Sequence, residues 1–318
     1  LIPFPVPWAA HSSTLVAGCG GGFDVICALP VAFNLKAQGK AVHLASYSFS
    51  ELGEMEGAEK LSSKLFRVHA GCQPPQSNGY CPELWLCRWW REQFGEELSV
   101  WCYRRVGTAP LAEIFDQLTS RLQLEAIVVV DGGVDGLFLG NEVDLGTPET
   151  DTASLLAAYA QEGLARYCAF CAFGTEGTAY SVRHADALER MAELIGQGHA
   201  LGVSALLPQS QEGRWFADCL EYVHAQQGEQ WQSHMAGSIV AAMRGRFGEQ
   251  ILSQRCQEAP IWVSPLTLLY WYFDLPGLAQ RRPYLQEALQ AESVGQLHDI
   301  IQKYRQQTPV MENRKIPI

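Results

Sequence analysis

Residues 126–130 read AIVVV, five consecutive apolar residues of which four are β-branched. A short run of this kind reads as a strand, and the lack of any polar alternation means that both its faces are covered, as in the centre of a parallel sheet. Parallel neighbours cannot be joined by a tight turn and need crossovers, usually helical. The segments around 126–130 fit that demand. LVAG (15–18) is followed by a helical pattern from about Asp24 to Gln38, which Gly39 stops. AVHLASYS (41–48) and LSVWCY (98–103) read as strands, and a helix near 110–122 leads into AIVVV. A helix from about Pro148 to Glu162, a strand at 167–173 and a helix from about His184 to Ile195 complete the alternation. The pattern predicts an α/β fold with a doubly wound, mostly parallel, Rossmann-like sheet.

The 318 residues are expected to form one domain. Residues 1–204 would be the sheet core, with 49–97 as an insertion that folds over a site as a lid. Residues 205–318 read as a mainly helical extension packed on that core. Within it, PLTLLYWYFDLPG (265–277) reads as core and NRKIPI as a surface strap or frayed end.

Net charge is −11, and the basic residues are scattered without a stripe that could follow a phosphate backbone, so nucleic acid is not an expected partner. No apolar stretch approaches the roughly 20 residues that span a bilayer, and LIPFPVPW lacks the basic start of a leader peptide. The expectation is a soluble cytoplasmic protein with no membrane partner. The ten cysteines read as reduced, mostly buried thiols. Cys168-Ala-Phe-Cys171 has the spacing of zinc and redox pairs, but it lies in strand-like RYCAFCAFG and no second pair follows.

Two stretches carry chemistry. The first is LVAGCGGGFDV, where Gly18, Gly20, Gly21 and Gly22 follow a strand and Asp24 opens a helix. Glycines at such a turn let a ligand approach the backbone, whose N–H groups favour an anion. The window departs from G-x-G-x-x-G because Phe23 stands at the last glycine, and Ser46, Tyr47 and Ser48 end the second strand where an acid would grip a ribose. An NAD-dependent dehydrogenase is disfavoured on both counts.

The second stretch, residues 128–156, carries Asp131, Asp135, Glu142, Asp144, Glu149 and Asp151, with Gly132 and Gly133 among its glycines. Six carboxylates this close repel one another unless they face water, accept backbone hydrogen bonds or hold a cation. Asp131 directly follows AIVVV, so this loop and the glycine turn should open onto one crevice at the carboxyl edge of the sheet. Thr147 reads as an N-cap with Pro148 behind it, which explains Glu149 as a helix-dipole acid. Glu176, in FGTEGTAYS, should lie on another loop at that edge, and His234 heads a helix whose small residues permit close approach.

GCGGGFDV, VVVDGGVDGLFLGNEVDLGTPETDTASL and FGTEG together resemble the domain of unknown function 1152 family of archaea and bacteria, over most of the chain. The resemblance implies that Gly20–Asp24 and Asp131–Asp151 belong together, and it implies no reaction. The residues themselves favour an enzyme acting on an anionic small molecule, phosphorylated or nucleotide-like, by hydrolysis or group transfer. Asp131 and Asp135 would serve as general base or as ligands of a divalent cation such as Mg²⁺, with Glu142, Asp151 and His234 in the same site. The alternative is a non-catalytic protein of a biosynthetic pathway that binds a small molecule or peptide, with Trp85, Trp89 and Trp90 supplying contact area.

Overall fold

The computed structural model describes residues 10–175, 182–253, 260–312, 314 and 316. Its strands are β1 (Ser13–Gly18), β2 (Ala41–Tyr47), β3 (Glu59–Lys60), β4 (Leu65–His69), β5 (Ser99–Tyr103), β6 (Ala126–Asp131), β7 (Ala165–Phe170), β8 (Ala200–Ala205), β9 (Gly248–Gln250), β10 (Ile261–Val263) and β11 (Leu269–Asp274). Among the described residues, nine of these form one sheet in the order β3-β4-β5-β2-β1-β6-β7-β11-β8, while β9 and β10 make a separate hairpin.

The middle of the sheet, β5-β2-β1-β6-β7, is parallel throughout. The chain winds outward from β1 through β2 to β5, then returns to β6 on the other side of β1. The protein is thus α/β and Rossmann-like, and β1 and β6 flank the point where the winding reverses. Helices leave these two strands toward opposite faces, which opens a crevice at their carboxyl ends. β6 shows why its sequence is apolar throughout: Val128 and Val130 enter the core layer that holds Ile26, Leu29 and Trp89, whereas Ile127 and Val129 enter the layer of Leu111, Phe115 and Leu155.

Among the described residues β3, β4, β8, β9, β10 and β11 lie outside the sequence reading, and β8 and β11 matter most to the main sheet. β8 is a sheet edge with mostly half-exposed residues, so it lacks an apolar signature. PLTLLYWYFDLPG enters the core through Tyr270, Tyr272, Phe273 and Leu275, whereas Leu266 is exposed, and its centre is β11, antiparallel to both β7 and β8, with Trp271 opposite Phe170 on one side and Val203 on the other. The portion after 205 therefore completes the main sheet as well as supplying helices.

The 49–97 segment also differs from a simple lid. β4 pairs antiparallel with β5 and extends the sheet, and the helix Pro82–Phe94 packs against it. Trp85, Trp89 and Trp90 are buried in the core, Trp90 stacked on Phe33 with ring centroids 5.5 Å apart. They are not available to a ligand, which corrects the contact role considered for them. No described helix is long and apolar enough to cross a membrane. The described cysteines, Cys168 and Cys171 included, are free and buried.

Candidate functional site

The glycine turn after β1 and the acidic loop after β6 meet across the crevice and line a cavity of about 740 Å³. Its deep side is acidic. Asp24 starts the short helix Asp24–Cys27, Asp131 ends β6, Asp135 begins the turn Asp135–Leu137, and Asp151 lies in the first turn of the helix Pro148–Tyr159. All four are buried and line the cavity. Oxygens of Asp24, Asp131 and Asp151 lie within 4.8 Å of one another, close enough to hold one ion among the described residues.

Backbone donors hold these carboxylates in place. Gly20 N–H donates to Asp24 Oδ2 at 2.7 Å, and the N–H groups of Gly133 and Gly136 donate to Asp131 at 2.9 and 3.1 Å. Thr147 N–H donates to Asp135 at 2.7 Å, and its hydroxyl reaches the same oxygen at 3.3 Å. Thr147 therefore orients Asp135 instead of capping its own helix through its side chain. Glycine is required where these chains cross. A Cβ on Gly20 would stand 2.1 Å from Asp151 Oδ1, and one on Gly132 would stand 2.5 Å from Asp24 Oδ1. At these two positions it is the protein's own carboxylates that come close; a Cβ on Gly22 would meet the Tyr80 hydroxyl at 2.8 Å, and one on Gly21 would meet nothing within 4 Å.

Burial makes two of these acids, Asp24 and Asp135, harder to ionise. Burial is the main cause that pushes Asp24 up to about 7, opposed by the Gly20 N–H and reinforced by the charge of Asp135. Burial likewise raises Asp135, against the Thr147 N–H. The Cys19 thiol beneath them is pushed well up by burial and then by Asp151, Asp131 and Asp24.

The other sides of the cavity are aromatic and mixed. Phe23, the residue that breaks the dinucleotide fingerprint, lines it together with Tyr80 and Trp231. Phe49 and Arg105 form the exposed rim, with the guanidinium 5.1 Å from the Phe49 ring centroid. Ser233, His234 and Met235, at the start of the helix His234–Met243, complete the lining.

Of the residues singled out from sequence, Gly21, Gly22, Asp24, Asp131, Gly132, Gly133, Asp135, Asp151 and His234 line this cavity. Gly18 closes β1 behind it, and Gly20 acts through its bond to Asp24. Glu142 does not line it. Its carboxylate is fully buried against Arg190 Nε at 2.5 Å and accepts the N–H groups of Leu139 and Gly140, so it fixes the loop instead. Glu176 lies outside the described residues. Glu149 bonds His298 at 2.7 Å at the surface of the last helix. At the end of β2, Ser46 and Ser50 donate to the buried Glu83.

The family model described as "Protein of unknown function (DUF1152)" matches residues 15–312, nearly the whole chain. The chain belongs to that family. The match takes in the glycine turn, the acidic loop and β11, so every residue that lines the cavity in this DUF1152 protein lies within the family's extent. No curated protein and no solved structure matches the chain.

Four of the lining residues that sequence reasoning passed over form two pairs. Phe49 and Arg105 come just after the carboxyl ends of β2 and β5, so the rule that singled out Asp131 applies to them as well. Tyr80 and Trp231 sit in connecting segments brought to the crevice by distant contacts, and carry no local signal.

Proposed function

We propose that the protein is an enzyme that holds a divalent cation such as Mg²⁺ on Asp24, Asp131 and Asp151, and through it engages an anionic, phosphorylated small molecule for hydrolysis or group transfer. The observation that supports this reading is the convergence of three buried carboxylates, from three separate elements, on a cavity large enough for a small molecule. Their oxygens are hard ligands of the kind Mg²⁺ and Ca²⁺ take. Backbone N–H groups of Gly20, Gly133 and Gly136 already serve Asp24 and Asp131, so a further anion would meet net negative charge unless a cation enters with it.

A bound cation would supply charge neutralisation and polarise a phosphoryl oxygen. The chain's own groups would do the rest. Asp135, held by Thr147, lies beside the cation ligands as a proton acceptor, and His234 faces the same cavity as a proton donor to a leaving group.

The test is thermal unfolding with Mg²⁺, Mn²⁺ and Ca²⁺, then with phosphate esters in the presence and absence of the ion, repeated on Asp131→Asn. The expected result is stabilisation of the wild type alone, reaching about 2.7 kcal/mol at a hundredfold excess over Kd, with the esters binding only alongside the cation. Equal behaviour of both proteins would overturn the cation reading. Binding of esters with none of them turned over would leave a non-catalytic binding role.

A further inference from the structure

The cation reading explains the acidic side of the cavity and leaves its aromatic side unexplained. Three rings from three separate parts of the chain adjoin there, turned by 57° and 61° from one to the next. Phe23 sits 6.2 Å from Tyr80, and Tyr80 meets Trp231 edge-on at 5.4 Å. Trp231 is fixed by its indole N–H, which donates to Asn78 O at 3.1 Å. Phe23 is anchored in turn by an edge contact to His224 at 5.6 Å. Tyr80, which borders the core, and Trp231 remain partly accessible, and Phe49 on the rim keeps 39% of its surface exposed beneath Arg105. Partly exposed aromatic rings gathered along a cavity are what a ligand pocket uses for contact area.

We infer that the ligand carries a planar, nucleobase-like ring, which stacks on the Trp231 ring with Tyr80 at its side while its phosphate end reaches the cation held by the aspartates. This inference rests on the cation reading above and narrows it from any phosphorylated small molecule to a nucleotide. An aromatic ring is indifferent to which base it meets, because every base has a face to stack, and such stacking contributes about 1–3 kcal/mol per base. Arg105, stacked on Phe49 at the rim, adds a cationic plane that can lie on the ring or meet a phosphate oxygen.

The experiment compares ADP with ribose 5-phosphate, both with excess Mg²⁺, by titration calorimetry on the wild type, Trp231→Leu and Trp231→Phe. Mg²⁺ alone is titrated into each protein as a separate arm. ADP is expected to bind the wild type at least tenfold more tightly than ribose 5-phosphate. Trp231→Leu should weaken ADP about tenfold, equivalent to about 1.4 kcal/mol, and leave Mg²⁺ and ribose 5-phosphate within twofold. Trp231→Phe, which keeps a ring but loses the bond to Asn78, should recover most of the loss. Equal affinity of the wild type for the two phosphates, or equal weakening of both in Trp231→Leu, overturns the ring while Mg²⁺ binding preserves the cation reading. Failure of Mg²⁺ to bind the wild type overturns the cation reading, and the nucleotide assignment built on it falls with it.

Discussion

Asp24 carries a carboxyl that burial moves from an ordinary 3.8 to about 7, and this has a sign that can be measured. Below about pH 4 the folded and unfolded chains both hold the proton. Between there and pH 7 the unfolded chain releases it and the folded chain does not, so stability falls as pH rises through this window. Asp24→Asn removes the effect and is expected to be more stable than the wild type at pH 8, by on the order of 1–3 kcal/mol. Its advantage should vanish near pH 4 in urea unfolding at the two pH values. A cation competes with the same proton, so Mg²⁺ affinity should climb from pH 5 to about 7 and then level off in calorimetry. Gly20→Ala tests the crossing of the two loops: its methyl would displace Asp151 Oδ1, and Mg²⁺ affinity should drop more than tenfold. Single residues were legible in the sequence where chain position alone dictates their place. Asp131 follows a central strand and the glycines follow its neighbour, so both had to reach the crevice. Trp231 and Tyr80 reach it through contacts between remote segments, which leave no trace in local spacing.

The acidic loop shows how much an element's surroundings decide. Glu142 looked like a site residue because it sits among carboxylates with no local partner, yet its partner Arg190 comes from the helix His184–Gly196. Arg305, from the helix Val294–Gln307, clamps the same loop by donating to the carbonyl oxygens of Gly140, Glu142 and Val143. Asp186 completes the arrangement by accepting the Val143 N–H at 3.3 Å. Arg190→Met would leave Glu142 buried without its counter-charge, and a loss of about 3–5 kcal/mol is expected. Because Glu142 lies outside the cavity, the Mg²⁺-dependent shift of the melting midpoint should survive in this variant, whereas a true ligand set would lose it. At this scale the parallel strands were legible from their apolar runs. β8 was not, since a half-exposed edge strand needs no apolar face.

Across the whole molecule, β11 decides whether the chain can be divided. It lies between β7 and β8 and pairs with both, so the first two-thirds of the sequence cannot complete its own sheet. A fragment ending at residue 204 would lose β11, expose β7 as an edge and leave β8 with no neighbour. That fragment is expected to aggregate or to lack a cooperative transition by calorimetry, while the full chain melts in a single step. An independently folding fragment would contradict this. The alternation of strands and helices was enough to read the doubly wound centre. It was silent about a strand that enters antiparallel from far along the chain. That placement also sets a timetable for synthesis. More than sixty residues separate Ala205 from Leu269, and β8 has no strand to pair with until they have left the ribosome. The nascent chain therefore carries an open edge for much of its elongation, and shielding that edge is a task for holding chaperones.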